Sequence, residues 1–267
     1  MTRYMLVGDT HGNTGFWPHV FKLAKNVEAD HIIQVGDFGV WPGKDGADYL
    51  NKIEKWAVKY GIDVTVVPGN HDDWDHILAL PEDRMIRPHV KVFGKVGMIE
   101  SDGVKIGCVG GAISIDREWR IPHKSYWPQE AITEKDVAEA MELGPVDVLI
   151  THDSGSDLPE WPGFIKDDLW SEKNRNALTA IEDVLRPTAW VHGHYHRALD
   201  YRTRTGCKVI GLDSEPQGYN GSNSGTPNVS YWMKAKPLAV LETFPEGIFN
   251  LWRLMPGFDE VQNLYGN

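Results

Sequence analysis

The sequence predicts an α/β fold with its functional groups at the carboxyl ends of parallel strands. Two observations carry this. In the first third of the chain, short apolar runs alternate with amphipathic stretches in the order strand, helix, strand, helix, strand. That order favours a parallel sheet with right-handed crossovers. Each of those three strands also runs into a polar motif: GDTHGN at 8–13, GDFG at 36–39 and GNHD at 69–72. Functional groups in such sheets gather at that edge.

The elements follow in order. Tyr4 to Val7 is a short apolar run that reads as a buried strand. Phe16 to Val27 places Phe16, Val20, Leu23, Ala24 and Val27 at helical spacing. His31 to Val35 reads as the second strand. Tyr49 to Tyr60 is an amphipathic helix with Leu50, Ile53, Trp56, Ala57 and Tyr60 on one face, stopped by Gly61. Asp63 to Val67 is the third strand. Lys91 to Val96 and Val104 to Val109 read as a pair joined by a turn, and Ile121 to Glu130, rich in Pro, Trp and His, as a loop. A helix from about Glu134 to Leu143 has Thr133 as its cap and Gly144-Pro145 as its stop. Val146 to Ile150 is a strand that ends in Thr151-His152-Asp153-Ser154. Residues 155–168 read as loop, and Asn174 to Leu185 as a helix that stops before Pro187. Thr188 to Val191 is a strand ending in His192-Gly193-His194-Tyr195-His196. Further strands are expected at Lys208 to Leu212, Leu238 to Thr243 and Ile248 to Trp252, with a Gly/Asn/Ser-rich loop from Gln217 to Ser230. No repeat, long charge run or linker divides the chain, so one domain over 1–267 is expected.

Composition narrows the function classes. Hydrophobic residues at 41% and charged residues at 24% are ordinary for a globular protein with a sizeable core. The 38 acids against 27 bases give a net charge of -11, which disfavours a broad basic surface for gripping extended nucleic acid. A local phosphate site remains open, because bound cations can reverse the charge of a pocket. The two cysteines, Cys108 and Cys207, form no C-x-x-C, and a reducing, cytoplasmic compartment fits them. No signal peptide is expected from the first residues, and no apolar run approaches the ~20 residues of a membrane span.

The polar groups at the strand ends are Asp9, His11, Asp37, Asn70, His71, His152, His194 and His196. In an extended chain alternate side chains share a side, so Asp9 with His11, and His194 with His196, can each reach one point. Oxygen and imidazole donors without thiolate suit two borderline transition metals, with manganese expected first and iron, zinc, nickel or cobalt as alternatives. Seven of these eight groups as ligands would exceed what one open site can use, whereas two ions sharing a bridging carboxylate can use them.

The ordered series GDTHGN, GDFG, GNHD, a strand-end His and GHYH resembles the calcineurin-like metallophosphoesterases. That family's pattern is D-x-H, G-D, G-N-H-[D/E], H and G-H-x-H, and the resemblance spans residues 8–197. It implies a β-sandwich flanked by helices, with the metals at the sheet edge. It also implies that Asp9, His11 and His196 hold one ion, that Asn70, His152 and His194 hold the other, and that Asp37 bridges. The resemblance further implies that His71 faces the substrate without binding metal and that Asp72 orients it. Many members carry a further acid after G-D, where this chain has Phe38-Gly39. His89 and His123 compete with His152 for the lone-His motif, but only His152 closes an apolar strand. His192 reads as a buried supporting histidine, since the glycine of G-H-x-H is Gly193. Arg117 and Arg120 are candidates for binding substrate phosphate, or else are surface or salt-bridged arginines.

The expected reaction is hydrolysis of a phosphomonoester or phosphodiester in a small phosphorylated substrate. A hydroxide bridging two divalent ions attacks phosphorus in line, and His71 as imidazolium protonates the leaving alkoxide, with Asp72 raising its pKa. The rivals are a metal-dependent nuclease and a catalytically silent binding subunit on the same fold. The sequence sets no oligomeric state.

Overall fold

A computed structural model describes residues 1–162, 168–215 and 236–254. Two sheets face each other and helices cover both outer faces. Among the described residues the first sheet holds seven strands: β1 (Thr2–Val7), β2 (His31–Gln34), β3 (Asp63–Val66), β4 (Met85–Arg87), β5 (Val90–Val92), β12 (Leu238–Phe244) and β13 (Ile248–Arg253), in the order β13-β12-β1-β2-β3-β5-β4. The second holds six: β6 (Val96–Ser101), β7 (Val104–Val109), β8 (Val148–Thr151), β9 (Ala189–His192), β10 (Leu199–Arg202) and β11 (Lys208–Gly211), in the order β10-β11-β9-β8-β7-β6. This is the helix-flanked sandwich that the resemblance implied.

The period of two along each strand explains the layering. In β1, Tyr4 and Leu6 point into the sandwich, while Met5 and Val7 point to the helices. Val148 and Ile150 of β8 face the sandwich and Leu149 faces out. Strands buried on both faces read as unbroken apolar runs, as β1 and β8 do. Helices α1 (Trp17–Asn26) and α2 (Gly43–Tyr60) pack on the first sheet through Val20, Phe21, Leu50 and Ile53. Helices α4 (Glu134–Met141) and α5 (Leu169–Leu185) cover the second sheet through Ala140, Leu178, Ile181 and Leu185. Thr133 caps α4 in a capping box with Asp136.

Several boundaries differ from the sequence reading, each for a local reason. The apolar stretch 91–96 is not one strand. Its first part lies in β5, parallel to β3, and the chain then crosses to the second sheet, where β6 pairs with β7. An apolar run specifies extended backbone but not which sheet it joins. Helix α5 starts five residues before Asn174, because the Asp168 carboxylate accepts hydrogen bonds from Trp170 N and Ser171 N at 3.1 and 2.9 Å. Helix α2 starts at Gly43 rather than Tyr49. The short helix α3 (Trp74–Leu78) and the strands β4 and β10 have too few residues for a periodic signal. The stretch 121–130 is irregular as expected, with a single 3₁₀ turn at Pro128–Glu130. The expected loop from Gln217 to Ser230 lies outside the described residues. Among the described residues, no helix is long and apolar enough to cross a membrane.

Ile33 is fully buried between the sheets, while Val58 on α2 is 59% exposed. Ile33→Ala is expected to destabilise the protein by about 2–5 kcal/mol through lost burial and the cavity left behind. Val58→Ala is expected to stay within about 0.5 kcal/mol. Urea unfolding curves of the two variants check the contrast.

Candidate metal centre

Five strands deliver the motif residues to one edge. β1, β2 and β3 are parallel neighbours in the first sheet, and β8 and β9 are parallel neighbours in the second. The loops that leave their C-terminal ends meet across the sandwich. His152 shows the contact most directly: its Nδ1 lies 2.8 Å from the carbonyl of Val35, in the loop after β2. Gly36 is required there, since its φ is 108° and a Cβ would collide with the His152 ring. Gly193 is required for a similar reason, because a Cβ would strike Asp9 Oδ1.

The paired side chains converge by another route than alternation along a strand. β1 ends at Val7, and His11 takes a left-handed backbone with φ 42°. Asp37, His194 and His196 are left-handed too, with φ of 54°, 69° and 47°. Non-glycine residues hold this conformation at a cost of roughly 1–2 kcal/mol each, and strain of this kind gathers at functional sites. The reading of Asp9–His11 and His194–His196 as extended pairs is therefore corrected: tight turns aim these groups.

Asp37 lies at the centre. Its Oδ2 is 3.4 Å from His11 Nε2 and 3.9 Å from His71 Nε2, while its Oδ1 is 3.3 Å from His152 Nε2. Asp9 Oδ2 is 3.1 Å from His196 Nε2, and the backbone N–H of His194 donates to both Asp9 oxygens at 3.1 Å. Asp9, His11, Asp37 and His196 each offer one donor atom within 4.8 Å of the others. On the other side of Asp37, Asn70 Oδ1 is 3.1 Å from His152 Nε2, and the His152 and His194 rings are 5.1 Å apart.

Asp9 and Asp37 are buried. Burial alone raises both carboxyls, but the imidazole charges around them outweigh it and hold both below the ordinary carboxylate range, Asp37 well below. The imidazoles respond in the opposite sense. Burial pulls His11 down, yet hydrogen bonds to Asp37 and Glu215 raise it to about 11. His152, also opposed by burial, is raised to about 10 by the charge and hydrogen bond of Asp37. The donor types, with no thiolate, fit divalent transition ions.

Residues 2–198 match the family model of the calcineurin-like phosphoesterases. The protein belongs to the calcineurin-like phosphoesterase family. Its fold is similar to that of a dimetal phosphatase from Danio rerio, with a TM-score of 0.59 at 12% identity over 94% of this chain and 95% of that one. It is also similar to the protein TT1561 of Thermus thermophilus, with a TM-score of 0.52 at 16% identity over 80% and 89% of the two chains. A lariat debranching enzyme of Homo sapiens is 22% identical over 151 residues, which cover 49% of this chain and 27% of that protein. The family is one of hydrolases that act on phosphate esters with a dinuclear metal centre, and this chain carries a candidate metal-binding cluster.

Around this candidate centre, two expectations change. Asp72 does not orient His71. Its carboxylate accepts backbone N–H groups from Gly39, Val40 and Gly69, each at 2.9 Å, and from Phe38 at 3.3 Å, so it ties the loop after β2 to the loop after β3. Arg120 contacts His71 instead, with its two terminal nitrogens 2.8 and 3.3 Å from the ring nitrogens. Burial first, and then the Arg120 charge, lower the His71 pKa against the pull of Asp37, opposite to the expected direction. The second change concerns the arginines. Arg117 is paired with Asp168 at 2.6 Å and donates to the Ser114 carbonyl at 3.1 Å, which is the salt-bridged alternative. Arg120 alone of the two touches a site residue.

His89 and His123 pair with Asp63 and Asp75, each at 2.7 Å, away from the cluster. His192 is fully buried, with Nδ1 3.0 Å from the Gly193 carbonyl. Sequence reasoning missed Glu215, whose carboxylate lies 3.4 Å from His11 Nδ1 and whose N–H donates to the Asp9 carbonyl at 2.8 Å. A carboxylate behind a metal-facing imidazole fixes its tautomer. Glu215 follows β11, the strand parallel to β9, so the strand-end rule applied once more would have found it. Ser114 and Glu130, which reach Asn70 in series, had no motif to mark them.

Metal binding to this cluster is expected to release protons, because His11 and His152 must lose theirs to ligate. Their folded pKa values lie above the ordinary imidazole value, so apparent affinity should rise with pH between 6 and 8, by roughly tenfold per unit for each proton released. Calorimetric titration with Mn(II) in two buffers of different ionisation enthalpy counts those protons. A release of none overturns the expectation.

Proposed function

We propose that this protein is a phosphoesterase that uses two divalent transition-metal ions, manganese first among them, to hydrolyse a small phosphate ester. One observation carries the reading: buried Asp37 presents Oδ2 to His11 and Oδ1 to His152, so its two oxygens face two separate donor groups. Asp9, His11 and His196 would hold one ion, Asn70, His152 and His194 would hold the other, and Asp37 would be shared between them. Two such ions would supply Lewis acidity and a nucleophilic water of lowered pKa.

The chain's own groups do the rest. Asp116 grips the Nε of Arg120 at 2.7 Å, which leaves both terminal nitrogens at His71. A guanidinium only donates, so a ring nitrogen that accepts from it carries no proton. Phosphate oxygens are stronger acceptors for those donors. An incoming substrate thus takes over the Arg120 hydrogen bonds and adds negative charge beside His71. Both effects favour a proton on the imidazole, poised for the leaving alkoxide. The chain works as a single catalytic domain, and its two buried free cysteines accord with a cytoplasmic setting. A second reading, cleavage of phosphodiesters in nucleic acid, draws on the lariat debranching relatives. The net charge of -11 weighs against it for long strands.

The ions are tested first. Wild type should bind close to two per chain, lose phosphoesterase activity to a chelator and regain it with Mn(II). Asp37→Asn should weaken both ions, whereas His11→Ala should weaken mainly one. Metal analysis beside a panel of phosphomonoesters, cyclic nucleotides, single-stranded DNA and a lariat RNA reads these outcomes. Saturation at one tightly held ion, unaffected by Asp37→Asn, sinks the two-ion reading; full loading with no hydrolysis favours the silent binding subunit.

His71 is tested by leaving group. His71→Ala should keep both ions and lose about 10²–10⁴-fold in rate on alkyl phosphates, the usual contribution of a general acid. The loss should be much smaller on p-nitrophenyl phosphate, whose leaving anion needs no proton. Rate ratios across leaving groups of rising pKa make the measurement. An equal loss at every leaving group means that His71 positions substrate and donates no proton.

A further inference from the structure

We infer that Glu130, acting through Ser114, is a positioning residue that sets which end of the Asn70 amide faces the metal centre. This rests on the two-ion reading, with Asn70 as a ligand through Oδ1. The three side chains form a buried line: Asn70 and Ser114 are 2% exposed and Glu130 is 1% exposed. Asn70 Nδ2 lies 3.0 Å from Ser114 Oγ, and Ser114 Oγ lies 2.8 Å from Glu130 Oε2. The second carboxylate oxygen accepts the Ser114 backbone N–H at 2.6 Å.

The polarity of this line follows from donor counting. An ionised carboxylate only accepts, and a serine hydroxyl has one proton. That proton is committed to Glu130, so Ser114 Oγ can only accept from Asn70. The amide must then turn its NH₂ to Ser114 and its oxygen to His152 Nε2, 3.1 Å away. The reverse rotamer would set an oxygen against the Ser114 lone pairs and an N–H donor toward a cation. Glu130 is itself held in place. Lys95 Nζ donates to its backbone carbonyl at 2.9 Å and lies 3.7 Å from the centre of the Trp74 ring. Trp74 Nε1 donates in turn to the carbonyl of Gly69, next to Asn70, at 2.9 Å. Backbone and side chain of the ligand are thus braced from the same side.

The test is reciprocal. In Glu130→Gln the new amide offers one acceptor oxygen, which the Ser114 N–H takes, and its NH₂ then faces Ser114 Oγ. The hydroxyl proton, buried and without its acceptor at position 130, turns toward residue 70 and favours the amide rotamer that answers with its oxygen. Glu130→Gln should therefore weaken one of the two ions by about 10–100-fold, the usual effect of losing an outer hydrogen-bond partner of a ligand. The other ion should be retained, and the melting temperature of the metal-free protein should change little. In the double variant Glu130→Gln/Asn70→Asp the line runs in reverse, because the carboxylate introduced at position 70 accepts from Ser114 with one oxygen and offers the other to the ion. The affinity lost in Glu130→Gln should recover at least tenfold. Ser114→Ala should weaken the same ion, and Glu130→Gln added to it should cost no more.

The readout is site-resolved Mn(II) affinity by electron paramagnetic resonance and chelator competition at pH 8. Burial raises the Glu130 carboxyl to about 7, so it is largely ionised there. Wild-type affinities for both ions in Glu130→Gln overturn the inference. So does a double variant no better than Glu130→Gln, or an equal weakening of both ions together with a fall in metal-free melting temperature. A wild-type protein that binds fewer than two ions overturns the two-ion reading itself, an outcome told apart before any variant is made.

Discussion

Two buried carboxylates, Asp9 and Asp37, set the terms for the whole sheet edge. Taking an ionised carboxyl out of water costs several kcal/mol unless opposite charge and hydrogen bonds replace the lost solvent. The chain supplies that compensation from both sheets. His196 and the N–H of His194 face Asp9, while His11, His71 and His152 face Asp37. Each carboxylate draws at least one partner from the loops of the other sheet. The charge balance of the site and the closure of the sandwich are therefore one problem.

That coupling accounts for the strained backbone. Four residues of the cluster sit in the left-handed region, a cost that a mobile loop would relax away. Here the loops are anchored at fixed points. Asp72 gathers four backbone N–H groups from two loops, and Trp74 and Gly111 hold the Pro68-Gly69 carbonyls. Tyr195, between His194 and His196, donates to Asp153 at 2.6 Å, next to His152. Each brace runs from one motif-bearing loop to another or to the core beneath. Donor groups aimed in this way need little reorganisation when a cation arrives.

The acid Asp72 and the base Arg120 exchange the roles that neighbourhood in sequence suggests. Asp72 is adjacent to His71 in the chain but spends its charge on backbone, where four N–H groups would otherwise be buried without acceptors. Arg120, forty-nine residues away, meets the imidazole. The consequence is electrostatic. Burial, and then this positive neighbour, disfavour the proton on His71.

The sequence by itself determined the central elements and named a candidate donor set. Alternating apolar runs fixed the central strands, helical periodicity fixed α1, α2 and α4, and five motifs at strand ends named Asp9, His11, Asp37, Asn70, His71, His152, His194 and His196. These features are local, and a period of two or 3.6 is written in neighbouring residues. Tertiary structure alone decided which sheet each strand joins, since the stretch 91–96 reads as one strand yet serves two sheets. It also decided the partners that act at a distance: Glu215 behind His11, Glu130 and Ser114 behind Asn70, and Arg120 in place of Asp72 at His71. A hydrogen bond or a charge acts through space, and the chain separation of such partners leaves no period to read. The turns at His11, Asp37, His194 and His196 belong to the same class, because left-handed backbone at a non-glycine residue is imposed by surrounding contacts and not by the residue's own preference.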